Sequence, residues 1–411
     1  MSNLAAETPS ITIRNNFMKV IVSGQPENSL AHCVLLFGVG LLEESRSTQG
    51  ICQVIGLCME QYLEDFRENG KSLEDYGIEY QHNQESDFTA LYFTFPPEQL
   101  PVITKIAANL MKTDWLTQEN FLTQKKQRIE ELRASRGSFD FYQFFRNNFY
   151  RFHPYREPMG GYLSSVEKLD YNKTLEFFNT YYTPRRTIFS FAGLVNEGQV
   201  NRLLNQEFKN LAPGVTNPLE IEWEPETTEK EIYLGAMSQQ GFILLGYSAP
   251  PISSPDYYAM QIINSYLGQG LSSKMWIELR EKRGWSYSLQ STYPYLKGPS
   301  YILMEVQTTP DFVRRGARIM LSLIDDLKAN GISENELIRS RNYLTGDFLR
   351  SVERPQDQAY YWGRAALIGK GLESIDNYSR KIQSISAEEI RKVARTYFNE
   401  YTLILVNAGI F

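Results

Sequence analysis

Few side chains in this sequence stand at spacings that could do chemistry. There are three histidines, His32, His82 and His153, and three cysteines, Cys33, Cys52 and Cys58. His32 and Cys33 precede an apolar run, Cys52 and Cys58 are six apart, and His153 lies in an HPY triplet. A metal centre needs compact ligand spacing, and none of these groups has it. No Ser/His/Asp or Cys/His arrangement carries a local signature of nucleophilic catalysis either. The segment GICQVIGLCM (50–59) has neither acid nor base. Arg280 and Tyr287 stand seven residues apart inside LSSKMWIELREKRGWSYSL (271–289).

A helix followed by a strand must position that pair. Ser272 or Ser273 can cap the helix, Met275 and Leu279 share a face, and Glu278 with Lys282 forms an i,i+4 pair. Gly284 can end the helix with a positive φ, and the alternating WSYSL begins a strand. Arg280 then sits on the last helical turn and Tyr287 just inside the strand, so the two converge on one side of a corner. An arginine late in a helix is often only solvated and favourable to the helix dipole, and a strand tyrosine is often mere packing. Taken alone, each residue reads more simply in that ordinary way.

The chain also repeats itself. LTQENF starts at Leu116 and ISENEL at Ile332, a shift of 332 − 116 = 216. TYYTPRRTIFSFAG starts at Thr180 and TYFNEYTLILVNAG at Thr396, again 396 − 180 = 216. Similar pieces at one offset argue for two copies of one fold. CVLLFGV, FTALYFTF, GFILLGYS and YILMEV read as strands, with long helical patterns from Leu100 and Asp311. Thr117 and Ser333 fall where helix N-caps belong, and Ser333 with Glu336 suggests a capping box. Strands grouped with long helices predict an α+β fold, helices packed on one sheet face. The proline-containing, acid-rich stretch 210–231 reads as a linker. The expected division is 1–212, a linker at 213–230, and 231–411.

Composition narrows the function classes. With 42% hydrophobic residues, 22% charged residues and a net charge of −6, the chain suits a globular fold with a real core. Nothing recommends nucleic acid or an anionic membrane surface as a partner. No apolar stretch approaches a membrane span, and no secretory signal pattern opens the chain. Three cysteines form no disulfide framework, so a reducing, cytoplasmic location is expected.

HPYREPMGGYLSSVEKL, LEFFNTYYTPRRTIFSFAGLV and GQGLSSKMWIELREKRGWSYSLQS together resemble the pitrilysin/insulinase-like zinc peptidases, including the processing peptidases. The likeness runs over about residues 15 to 411. It implies two homologous α/β-sandwich halves related by a pseudo-two-fold, and two such chains closing around a chamber that cleaves unfolded peptides. Active members carry H-x-x-E-H on a helix of the first half, with a distal glutamate completing the zinc site. Aligned on Gly50, the two histidines fall on Gln53 and Leu57, and the general base falls on Gly56. Glu130 or Glu131, with Glu131 preferred, lies near the distal acid. These positions imply a degenerate site and no metal in this chain.

The same resemblance gives Arg280 and Tyr287 a role: binding the substrate carbonyl and the developing oxyanion of a partner's active site. Gly268 and Gly270 fall on a substrate-recognition loop, much less glycine-rich here and readable as an ordinary turn. FTALYFTF (88–95) falls where relatives pair an extended peptide to a sheet edge. The implied partner is a homologous subunit that binds zinc, with peptide substrates. Peptidase activity is expected of the complex and not of the chain alone; the alternative is an inactive structural or peptide-binding scaffold.

Overall fold

A computed structural model of the chain describes residues 9, 11–13, 18–135, 139–214, 230–235 and 240–407. The first part of the chain forms β1 (Ile11–Ile13), β2 (Lys19–Gly24), β3 (Ala31–Phe37), α1 (Ile51–Asp65), β4 (Glu79–Gln84) and β5 (Thr89–Phe95). The helices α2 (Leu100–Leu110), α3 (Gln118–Ala134), α4 (Phe141–Phe149), α5 (Leu163–Val166) and α6 (Tyr171–Tyr181) follow, then β6 (Thr187–Gly193) and α7 (Glu197–Phe208). Beyond these come β7 (Lys230–Leu234), β8 (Gly241–Ala249), α8 (Tyr257–Gly268), β9 (Ser286–Thr292) and β10 (Ser300–Thr308). The chain continues through α9 (Val313–Asn330), α10 (Glu334–Ser351), α11 (Pro355–Leu367) and α12 (Glu373–Asp376). It closes with α13 (Tyr378–Ser384), α14 (Ala387–Tyr397) and β11 (Tyr401–Val406).

Two sheets result, ordered β1-β2-β6-β3-β5-β4 and β7-β11-β8-β10-β9. Leaving β1 aside, they share one topology. β2 lies parallel to β6 as β7 does to β11, and every other neighbouring pair is antiparallel. The repeat is kept helix by helix: α6 and α14 start at Tyr171 and Ala387, and 387 − 171 = 216. α3 and α10 start at Gln118 and Glu334, and 334 − 118 = 216. The fold is the α+β pair of sheets that the sequence predicts.

The division into units is less simple than a cut along the sequence. One compact unit comprises Met1–Asp140, Glu157–Ile221 and Ser351–Asp376; the other comprises Phe141–Arg156, Glu222–Arg350 and Asn377–Phe411. The first unit thus takes α11 and α12 from the second half of the sequence, and the second unit takes α4 from the first half. Residues 215–229 of the expected linker lie outside the described residues.

Side-chain alternation explains why an outside helix is needed. In β3, Cys33, Leu35 and Phe37 point into a core with α1, α2, α6 and α7, while Val34 and Leu36 point to the opposite face. That second face needs its own cover, and Ala359, Trp362 and Ala366 of α11 supply it. Gly363 sits so close to the sheet that a Cβ there would overlap Leu36 and approach Ser190 at 3.1 Å. In the second unit α4 does the same work. Phe145 is fully buried, its ring lies 5.1 Å from that of Tyr301, and it fills the space above Gly246. Among the described residues no helix is long and apolar enough to cross a membrane.

Candidate functional site

Two places matter, one in each unit. The first is α1, which contains the three positions aligned with the zinc motif. Gly50 opens the helix at φ +87°, and a Cβ there would meet Gly160 and Gly161 at 2.9 Å. Glu44 caps the helix: its carboxylate accepts from the Gly50 and Cys52 main-chain N–H groups at 2.9 and 3.0 Å. Burial pushes the Glu44 carboxyl up to about 7, outweighing the two N–H bonds that favour its charged form. Beside it, half-buried Glu43 forms an ion pair with Arg186.

Gln53 is half-buried, while Gly56 and Leu57 are buried. The space over Gly56 belongs to His82 of β4, whose Cε1 and Nε2 a Cβ at residue 56 would overlap. Glu131 is held by Arg128 at 2.9 Å and Gln127 at 3.2 Å, and Arg128 Nε donates to the Gly160 carbonyl at 3.1 Å. Glu130 lies at the surface, 3.9 Å from Lys126. These residues do not fit a zinc ion. An amide, a bare Cα and an isobutyl group offer neither imidazole nor base, and an imidazole already fills the ground above Gly56. Among the described residues no three His, Cys, Asp or Glu side chains come together in a group that could hold a metal.

The sequence reading set His82 aside as a metal ligand and did not place it over Gly56. The alternation of EYQHNQ places it on the inner face of β4, yet nothing in the sequence says that this face meets residue 56.

The second place is the corner between α8 and β9. Trp276–Glu281 forms a π-helical segment where an α-helix was expected, with Lys282 N donating to Ile277 O at 3.0 Å. Such widened turns recur at functional sites. Glu278 pairs with Lys282 at 2.5 Å and also with Arg283 at 2.7 Å. Gly284 turns the chain at φ +66°, as anticipated, and the Trp285 ring stacks on Phe312 at 4.8 Å. Ser273 is buried just ahead of the helix with its hydroxyl unpartnered, so it does not cap with its side chain.

β9 then begins with a bulge. Gln307 pairs with Ser288 and Thr308 with Ser286, leaving Tyr287 opposite no residue. A bulge re-aims a side chain, and Tyr287 is 82% exposed. The Arg280 guanidinium lies over its ring, 4.2 Å from the centroid, and donates to the Ser286 carbonyl at 3.2 Å. The structure thus brings Arg280 and Tyr287 together. Most of the guanidinium's five N–H donors stay available, beside a phenolic hydroxyl. A donor fork next to a hydroxyl suits a carbonyl oxygen or an oxyanion.

The two loop glycines have packing roles. Gly268 ends α8 against β9, where a Cβ would stand 2.5 Å from Ser291; Gly270 turns at φ +78° beside Tyr343. The expectation for residues 88–95 needs correction. β5 pairs with β3 on one side and β4 on the other, so its main-chain groups are used, and β4 is the free edge.

Residues 168–344, which include Arg280 and Tyr287, match a family model described as the peptidase M16 inactive domain. The zinc protease PqqE of Helicobacter pylori is 21% identical over 402 residues, covering 95% of this chain and 90% of its own. A peptidase M16 inactive domain from Pseudomonas fluorescens superposes with a TM-score of 0.84 at 16% identity, covering 97% of each chain. A chain of Complex III2 from Candida albicans superposes with a TM-score of 0.81 at 14% identity, covering 97% of this chain and 95% of that one. At such identities the superpositions speak for a shared fold. Together these matches support a likeness to the pitrilysin-like M16 peptidases, and α1 of this chain lacks the H-x-x-E-H motif.

Proposed function

We propose that this chain is the non-catalytic, substrate-binding subunit of a heterodimeric zinc peptidase. A homologous partner supplies zinc through H-x-x-E-H, and this chain supplies Arg280 and Tyr287 to the partner's active site. One observation carries the reading: the guanidinium lies over an exposed phenol ring with free donors, while Gln53, Gly56 and Leu57 stand at the motif positions of the chain's own α1. In the complex, Arg280 holds a substrate carbonyl and the Tyr287 hydroxyl donates to the oxygen that gains charge as the amide is attacked. The substrates are peptides or unfolded segments admitted to a closed chamber. Three buried, unpaired cysteines suit a reducing compartment such as the cytoplasm.

The test is reconstitution with an H-x-x-E-H-bearing homologue and an unstructured peptide. Arg280→Ala with Tyr287→Phe should lower kcat/KM by ~10²–10³, the range for losing an oxyanion donor. A loss below about tenfold would defeat the assignment. A scaffold role is the second reading, supported by the fold shared with the Complex III2 chain. On that reading no partner carrying the motif yields cleavage at all.

A further inference from the structure

Position 56 stands in the middle of a 15-residue helix, where glycine is a poor choice. Alanine would be better there by lowering backbone entropy in the unfolded chain and covering the backbone in the folded one. A glycine kept at such a place needs a packing reason, and the reason is His82. Its ring lies where a Cβ of residue 56 would be, meeting it with both Cε1 and Nε2. The side chain is 4% exposed and Nδ1 lies 3.2 Å from Glu60 Oε1, one helical turn beyond Gly56. Among the described residues, buried Nε2 has no hydrogen-bond partner. A ring held by one nitrogen, with the other against bare backbone, is seated by shape.

We propose that Gly56 and His82 are a fitted pair that closes the niche left by the missing zinc motif, locking the edge strand β4 onto α1. No side chain at position 56 fits while the imidazole is in place. The degenerate site is therefore a rebuilt joint, and restoring the three motif residues cannot by itself reopen it. The inference concerns this chain alone and stands or falls independently of any partner subunit.

The test is a reversal of sign. In an unobstructed helix interior, Gly→Ala should raise Tm, by about 2–4 °C for a unit of this size. Here Gly56→Ala should lower Tm in the parent chain and raise it in the His82→Ala background. A rise in both backgrounds overturns the proposal, and so does a fall of equal size in both. If the Gly56→Ala chain does not fold, folding of the Gly56→Ala, His82→Ala double variant supports the pair and its failure overturns it. A second arm uses Gln53→His, Gly56→Glu and Leu57→His together. The triple variant should melt below the parent and recover when His82→Ala is added; a triple variant as stable as the parent refutes the fitted pair.

Discussion

The edge strands β4 and β9 hold the same place in their sheets and carry tyrosine at the same second position, Tyr80 and Tyr287. β4 pairs without interruption from Glu79 opposite Thr94 to Gln84 opposite Thr89, so alternation turns Tyr80 onto the core. β9 is interrupted by a bulge, and Tyr287 is turned out to solvent. A tyrosine ring can bury well over a hundred square ångströms of surface, and a regular strand would have used it. The preceding helices differ in the same sense. α1 is an ordinary α-helix packed on β4, whereas the segment before β9 is widened into a π-turn. One topology thus supports a closed corner and an open one, and local irregularity makes the difference.

The largest effect should come from the two tyrosines themselves. Losing one hydroxyl from each leaves the rings in place, so packing changes little. In the reconstituted complex Tyr287→Phe should reduce kcat by roughly 10²-fold, and Tyr80→Phe should leave peptide cleavage unchanged. Equal behaviour of the two variants would erase the functional distinction between the corners.

Next in size are the glycines beneath the exchanged helices. Gly363→Ala pushes a methyl into Leu36, and Gly246→Ala pushes one into the Phe145 ring. Each should cost about 1–3 kcal/mol as overpacking, read from denaturant midpoints. Gly235, where an added methyl would find nothing within 4 Å, serves as the neutral control. Tolerance at both buried glycines would mean that the two covers are looser than their packing implies.

These contrasts divide what could be read from the residues from what could not. The 216-residue offset carries over to α6 and α14, and the apolar runs at 33–39, 88–95, 241–248 and 301–306 fall on β3, β5, β8 and β10. Spacing also brings Arg280 and Tyr287 together, because only a short connection, turned at Gly284, separates helix from strand. The exchange of α4 and α11 was not legible. An amphipathic pattern says that a helix has a buried face, not which sheet receives it. The edge was misplaced for a related reason: TALYFTF is apolar on both faces because it lies inside the sheet, whereas the polar alternation of EYQHNQ marks the true rim. Neither the π-turn nor the bulge has a sequence signature, since both depend on how the corner closes in three dimensions.

A pH experiment tests the closed corner from its other end. Burial raises the folded-state pKa of Glu44 to about 7, above its ordinary value of 4.5. Between those values the folded chain holds a proton that the unfolded chain has lost. Its contribution to stability is therefore full below about 4.5 and disappears as pH rises through about 7. Thermal melts from pH 5 to 7 should show the parent losing stability relative to Glu44→Gln, which cannot titrate. Parallel curves would mean that the carboxylate is already charged across this range, held by the Gly50 and Cys52 N–H groups.

The smallest difference lies between two equivalent helix caps. At α3 the Thr117 hydroxyl accepts from Asn120 N at 3.1 Å, satisfying a main-chain donor that no helical carbonyl can reach. At α10 the Ser333 hydroxyl instead donates to Glu336 Oε2 at 2.6 Å, and the same oxygen accepts from Ser333 N at 3.1 Å. Glu336 is also anchored by Lys274. Removing the Thr117 hydroxyl strands a backbone N–H, so Thr117→Ala should cost about 1 kcal/mol. Ser333→Ala leaves the bond between Ser333 N and the carboxylate intact and should cost below about 0.5 kcal/mol. Equal costs in denaturant melts would mean that Glu336 cannot hold its cap without the serine hydroxyl, and that the two repeats depend on their caps alike.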